Sequence, residues 1–273
     1  MSASEEVVQK IGILAGGGDM PRLLVEACHR EGIEPFVLGF KGQSDFGWLG
    51  DAGVEHDFVA IGKAGAVIKR LRAQGLTNLV MLGTIRKPSM VELMPDLKAM
   101  QFLVRHGYGA LGDDGLLRAL RGFLEREGFV LHGAQRFMPE FLMTEDVVGS
   151  VGFEGFEGDV EVGVAAALAL GEADEGQSVL VCGGAVIARE GRSGTDAMIL
   201  EYGCAGAVLV KMCKPQQDRD LDLPTIGAAT VRNVVETGCA GIVVHAGASF
   251  FLDREEAVVL ADEAGVFIVG VTL

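Results

Sequence analysis

The chain has 273 residues, 49% of them hydrophobic and 22% charged, enough for two ordinary domains with apolar cores of their own. Disorder and a disulfide-stapled mini-fold are excluded as organising principles. Acidic residues number 38 against 23 basic, a net charge of -15; such a surface repels phosphate backbones, so no nucleic-acid partner is expected.

Forty glycines, about twice average usage, assign many positions to turns and close backbone approaches. The five cysteines (Cys28, Cys182, Cys204, Cys213, Cys239) form no CxxC or CxxxC pair. They read as buried thiols in a reducing compartment. The first ten residues are polar and acidic where a secretory signal is basic and then apolar. No apolar run approaches the ~20 residues that span a bilayer. The expectation is a cytoplasmic protein.

In chain order, 10–15 reads as a strand, followed by Gly16-Gly17-Gly18 and a helix over 20–31, with Asp19 as N-cap and Pro21 in the first turn. Strands are predicted over 35–40 and 55–61, a helix over 64–74 and a strand over 79–83. This alternation predicts a parallel sheet with helices on both faces. The apolar residues of 89–107 fall at helical spacing, a helix is predicted over 115–127 and a strand over 129–133. A domain boundary is placed there, giving domains 1–133 and 134–273. In the second half, 134–144 reads as a short helix or irregular segment and 149–161 as a glycine- and acid-rich link. Helices are predicted over 163–172, 229–236 and 254–264, and strands over 178–181, 185–189, 207–212, 241–244 and 266–271. The fold class expected is α/β: a Rossmann-like parallel-sheet domain, then a second α/β domain, with the site in the cleft between them.

Glycines after a strand let backbone N–H groups approach an anion at a helix N-terminus; the plain alternative for Gly16-Gly17-Gly18 is a tight turn. The second strand ends Gly39-Phe40-Lys41 without the acid that holds a nicotinamide ribose, and there is no GxxxxGK[ST]. Gly83 to Pro88 follows a strand's carboxyl end, where open α/β sheets bind ligands; Arg86 and Lys87 there suit a phosphate or merely solvent. Asp113 and Asp114 precede Arg118 and Arg121 at a helix start, where an Asp is most often only a cap. Gly194-Thr195-Asp196-Ala197-Met198, Lys214 to Asp218 and Asp222 to Gly227 place carboxylates, a lysine and an amide on loops. Such a set suits a hard divalent cation and a phosphate, although spacing alone is unspecific. Metallophosphoesterase, HExxH and Nudix signatures are absent or broken. The methionines Met90, Met94 and Met100, and the stretch 137–143, admit a lipid contact, with core packing the plainer account.

In order and spacing, these motifs resemble the UDP-2,3-diacylglucosamine pyrophosphatases of Gram-negative lipid A biosynthesis, in the soluble two-domain form unrelated to the calcineurin-like enzyme. The resemblance covers nearly the whole chain. It rests on Leu14 to Gly18 with Pro21, Gly83 to Pro88, Gly112 to Arg118, Glu127-Gly128-Phe129, Gly176-Gln177, Gly194 to Met198, and Asp222 to Gly227. It implies a magnesium-dependent hydrolase, with manganese the alternative metal. Water attacks the α-phosphorus of UDP-2,3-diacylglucosamine to give 2,3-diacylglucosamine 1-phosphate (lipid X) and UMP. It also implies a homodimer, and a UDP-linked diacylated glucosamine lipid as substrate, met through transient contact with the inner-membrane surface.

On this resemblance Asp222 is the essential acid, and Asp196 and Thr195 are the next catalytic candidates, with Asp222 and Asp196 as metal ligands. Substrate contacts are expected from Gly16, Gly17, Gly18, Asp19, Gly83, Thr84, Lys87, Asp113, Asp114, Arg118, Gln177, Lys214 and Gln217. The chain departs from the family pattern at Asp220, where an Arg is usual, and at His245 and Ala248, where Glu and Arg are common. Those departures motivate the alternative: a nucleotide- or UDP-lipid-binding regulatory protein that breaks no bond.

Overall fold

The computed structural model describes residues 8–43, 46–86, 94–106 and 113–273, with Asp113 and Asp114 described by backbone only. They fall into two compact units. One holds the described residues up to Pro139 together with Asp220–Asp222; the other holds Glu140–Arg219 and Leu223–Leu273.

The first unit is built on five parallel strands: β1 (Lys10–Ala15), β2 (Glu34–Phe40), β3 (Glu55–Val59), β4 (Asn78–Leu82) and β5 (Val130–Leu131), in the order β3-β2-β1-β4-β5. The central strand is covered on both faces and is therefore apolar without alternation, Ile11 and Ile13 being fully buried. The helix Met20–Arg30 buries Pro21, Leu24, Val25 and Cys28 along one stripe, and Gly32 at φ +69° follows its end. Leu24 is wholly enclosed, so truncating it to Ala costs about 2–5 kcal/mol. Asp19 stands at the predicted cap position, but its side chain caps nothing.

The core joins Leu14, Leu38, Leu71 and Leu79 to Leu124 and Leu131, and it takes in Leu221 from the returning segment. The helix Leu97–His106 covers the later part of the stretch predicted as helical, while 87–93 and 107–112 lie outside the described residues. Met94 and Met100 are exposed, so core packing does not account for them; Met90 is outside the described residues. Phe137, Met138 and Met143 are buried, as packing requires. The strand predicted over 129–133 is only two residues long, and the segment after it forms two short 3-10 turns, Ala134–Arg136 and Pro139–Phe141.

The second unit carries a six-stranded mixed sheet. Its strands are β6 (Asp146–Val147), β7 (Ser178–Cys182), β8 (Ala185–Arg189), β9 (Val208–Lys211), β11 (Gly241–His245) and β13 (Phe267–Val271), in the order β6-β13-β11-β9-β7-β8. Strands β9, β11 and β13 run parallel; β6, β7 and β8 pair antiparallel. A separate parallel pair joins β10 (Thr225–Ile226) to β12 (Phe250–Phe251).

The period of two decides the layers. Val179, Val181, Val208, Val210 and Val243 face the helix Glu157–Glu172. Leu180, Leu209, Ile242 and Val244 face the helices Gly194–Tyr202, Ala228–Glu236 and Arg254–Ala264. Two expectations are corrected here. The helix predicted from 163 begins at Glu157, because acids in its first turn favour a helix start. Gly163 sits inside it because a Cβ there would come 2.3 Å from Val210 Cγ2. The segment Gly194 to Met198, read as a loop, is the opening of a helix. Among the described residues, no helix is long and apolar enough to cross a membrane.

Candidate active site

In the first unit the strand order reverses between β1 and β4, the position where open parallel sheets leave a crevice at their carboxyl ends. The predicted glycines meet there. Gly16 N donates to Leu82 O at 2.8 Å, Gly17 N to Thr84 O at 2.7 Å, and Thr84 N returns to Gly17 O at 2.9 Å. A Cβ on Gly16 would stand 2.6 Å from the backbone of Gly83 and Thr84, and Gly83 itself has φ +94°. Two glycine N–H groups are thus spent on closing β1 against β4, so the close approach these glycines serve is first of all backbone on backbone. Gly18 and Asp19 follow on the exposed side.

Lys87 lies outside the described residues, and the side chains of Asp113 and Asp114 are not described. Arg118 is exposed on the helix Asp113–Arg126. One turn on, Arg121 pairs with Glu125 at 2.9 Å and with Asp220 at 3.4 Å. Asp220, one of the positions singled out in the sequence, therefore has a cationic partner. Asp222 is exposed between the buried Leu221 and Leu223, which anchor the backbone on either side of its carboxylate.

The second unit gathers a polar cluster where β7 begins and β9 ends. Register places Ser178 opposite Lys211. Thr195 is buried and lies 2.8 Å from Glu190 Oε1 and 3.0 Å from Ser178 Oγ. Lys211 Nζ donates to Thr195 Oγ1 at 3.4 Å and to Thr225 O at 3.1 Å. Gln177 N donates to Glu190 Oε2 at 2.9 Å, while Gln177 Oε1 is buried with no hydrogen-bond partner among the described residues. A cation, a carboxylate and an unpaired amide oxygen held on a sheet's carboxyl edge can bind and orient a polar ligand.

Of the residues predicted to act here, Thr195 and Gln177 share this network. Lys214 and Gln217 belong to a neighbouring brace: Lys214 Nζ reaches Asp174 at 2.7 Å, and Gln217 Oε1 accepts from Lys214 N at 3.2 Å. Asp196, exposed in the helix's first turn, accepts from Asn233 Nδ2 at 3.0 Å. Sequence reasoning missed Ser178, Glu190 and Lys211. Lys211 carried a signal, since a lone charge ends an otherwise apolar strand. At the next strand's end His245 is buried, and burial, then the nearby Arg219, hold its imidazole below the usual histidine range. Among the described residues no group of three or more His, Cys, Asp or Glu converges as a metal site.

The geometry defines a two-unit α/β protein, with a glycine-closed parallel sheet in one unit and a polar carboxyl edge in the other. It is a member of the LpxI family: the LpxI N-terminal domain matches residues 10–141 and the LpxI C-terminal domain matches residues 153–269. A protein of Caulobacter vibrioides named UDP-2,3-diacylglucosamine pyrophosphatase LpxI is similar along nearly the whole length. It is 34% identical over 277 residues, covering 97% of this chain and 98% of that protein.

Proposed function

We propose that this protein hydrolyses the diphosphate of UDP-2,3-diacylglucosamine, with water attacking the α-phosphorus, to release 2,3-diacylglucosamine 1-phosphate and UMP in lipid A biosynthesis. The observation that carries this reading is the agreement of both halves with the two LpxI domains, together with 34% identity to a relative of that name. Asp222, outward between two buried leucines, is the acid assigned to orient the attacking water. Lys211 is assigned to the substrate's negative charge, with Thr195 and Glu190 fixing its place.

Magnesium, or manganese in its stead, would draw charge from the phosphoryl oxygens. It needs only one or two carboxylates, with waters and phosphate oxygens completing its shell. The exposed carboxylate of Asp222 fits that donor set; Asp196, held by Asn233, is tested separately as Asp196→Asn. The same reading includes a homodimer and transient contact with the inner-membrane surface from the cytoplasm. Analytical sedimentation, and flotation with anionic liposomes at low and raised salt, check these two parts.

The decisive experiment incubates the protein and Mg²⁺ with UDP-2,3-diacylglucosamine in oxygen-18 water. Label in UMP is expected, and label in the sugar phosphate overturns the point of attack. No turnover, with the UDP-lipid still bound, overturns the hydrolase in favour of a binding protein. Asp222→Ala is expected to lower turnover by on the order of 10²–10³-fold.

A further inference from the structure

Cys182 ends β7, and Cys204 follows the helix Gly194–Tyr202. The two are distant in sequence but adjacent in the fold: Cys182 Sγ lies 3.9 Å from the carbonyl oxygen of Ala205, the residue after Cys204, and the charge of either thiolate would be felt by the other thiol. Cys28, Cys213 and Cys239 are buried, whereas Cys204 is exposed and Cys182 only half-covered. The expectation of five buried thiols fails for this pair.

Both sulfurs stand on anchored backbone. Behind Cys182, the N–H groups of Gly183 and Gly184 are held by the carboxylate of Asp159. Before Cys204, Gly203 N donates to Ile199 O at 2.8 Å, and Ala207 N closes on Cys204 O at 3.0 Å. The near ends of the same two elements are joined as well, Ser178 of β7 lying 3.0 Å from Thr195 of the helix. The cysteines therefore sit at the far ends of the strand and helix that carry Ser178 and Thr195 of the polar cluster.

We propose that Cys182 and Cys204 are a reversible dithiol–disulfide pair, oxidised by a peroxide, which staples β7 to the segment after the helix. The peroxide first oxidises Cys204, the more exposed thiol, to a sulfenic acid with release of one water. Cys182 sulfur then attacks the Cys204 sulfur, the S–S bond forms, the S–O bond breaks and a second water leaves. Two thiols are oxidised and one peroxide is reduced. Burial of Cys182, with Cys204 and Asp159 beside it, raises its thiol above the usual range, so the second step, which draws on its thiolate, runs faster at raised pH.

Treating the full-length protein with hydrogen peroxide and mapping peptides without reductant tests this directly. The expected product is a 182–204 linked peptide within one molecule, with the intact mass lower by two hydrogens and restored by dithiothreitol. Cys182→Ser and Cys204→Ser should each abolish that mass change. Free thiols at both positions after peroxide, sulfinic acid at Cys204 with no linked peptide, or a link only between molecules would each overturn the pair. The wild-type map needs no variant, so the result stands even if a serine variant does not fold.

Discussion

Thr195 gives its hydroxyl hydrogen to Glu190, Oγ1 to Oε1 at 2.8 Å, and in that state can only accept from Ser178 and Lys211. A hydroxyl has one hydrogen to donate. Thr195 is therefore a positioning residue for Lys211 while this network is intact. Thr195→Ser keeps the oxygen and should leave stability nearly unchanged. Thr195→Val leaves Glu190 and Ser178 short of a partner and should cost about 1–3 kcal/mol in urea unfolding. Turnover of the UDP-lipid should fall by on the order of 10²-fold through the loosened lysine.

The glycine edge of the first unit predicts a contrast between neighbours. A Cβ at Gly16 meets backbone atoms of Gly83 and Thr84 at 2.6 Å, which no side-chain rotation can relieve. Gly16→Ala should cost about 3 kcal/mol or more. At Gly18 a Cβ meets nothing within 4 Å, and only the φ of +87° is unfavourable. Gly18→Ala should cost about 1–2 kcal/mol. Thermal unfolding of the two variants side by side checks the order.

Glu127 ties the helix Leu97–His106 to the helix Ala64–Ala73 by accepting from Lys98 and from Arg72, the latter at 2.9 Å. The Lys98 hydrogen bond, against the opposing effect of burial and with help from the charges of Lys98 and Arg72, holds its carboxyl below the ordinary glutamate value. A lowered carboxylate pKa contributes stability that is present above the unfolded value and lost as pH falls through the folded one. Glu127→Gln should lose about 1–2 kcal/mol near pH 7. The gap to wild type should narrow as pH drops below 4.5, the unperturbed value.

How much of this was legible in the residues differs between the two units. The parallel sheet of the first unit was readable because each central strand is buried on both faces and so appears as an uninterrupted apolar run, as in Ile11 to Ala15. β5 was overestimated because the apolar residues around it pack as turns. The helix Gly194–Tyr202 was missed because it is short, lies between glycines at 191, 194 and 203, and carries apolar residues on more than one side. The cluster around Thr195 needed strand order: Ser178 meets Lys211 only because β7 runs antiparallel to β9. Periodicity shows which face a residue takes, and says nothing of which strand lies beside it. Cys182 and Cys204 escaped a search for close spacings for the same reason.

His245 supplies the last prediction. Its ring is buried at 5% exposure, and Nδ1 has no hydrogen-bond partner among the described residues. Burial first, then the positive charge of Arg219, disfavours the imidazolium, so the folded pKa lies below the ordinary 6.5. A histidine depressed in this way binds its proton more readily in the unfolded chain. The stability it contributes is present above 6.5 and is lost as pH falls from there through the folded value. Wild-type protein should lose unfolding free energy on going from pH 7.5 to 5.5, over and above what its carboxylates lose. His245→Gln has nothing to titrate there, so its stability should change less over the same interval, whatever its packing cost at pH 7.5. Urea unfolding of both proteins at the two pH values reads the difference in slope, and parallel slopes would show that this imidazole keeps its proton equilibrium unchanged on folding.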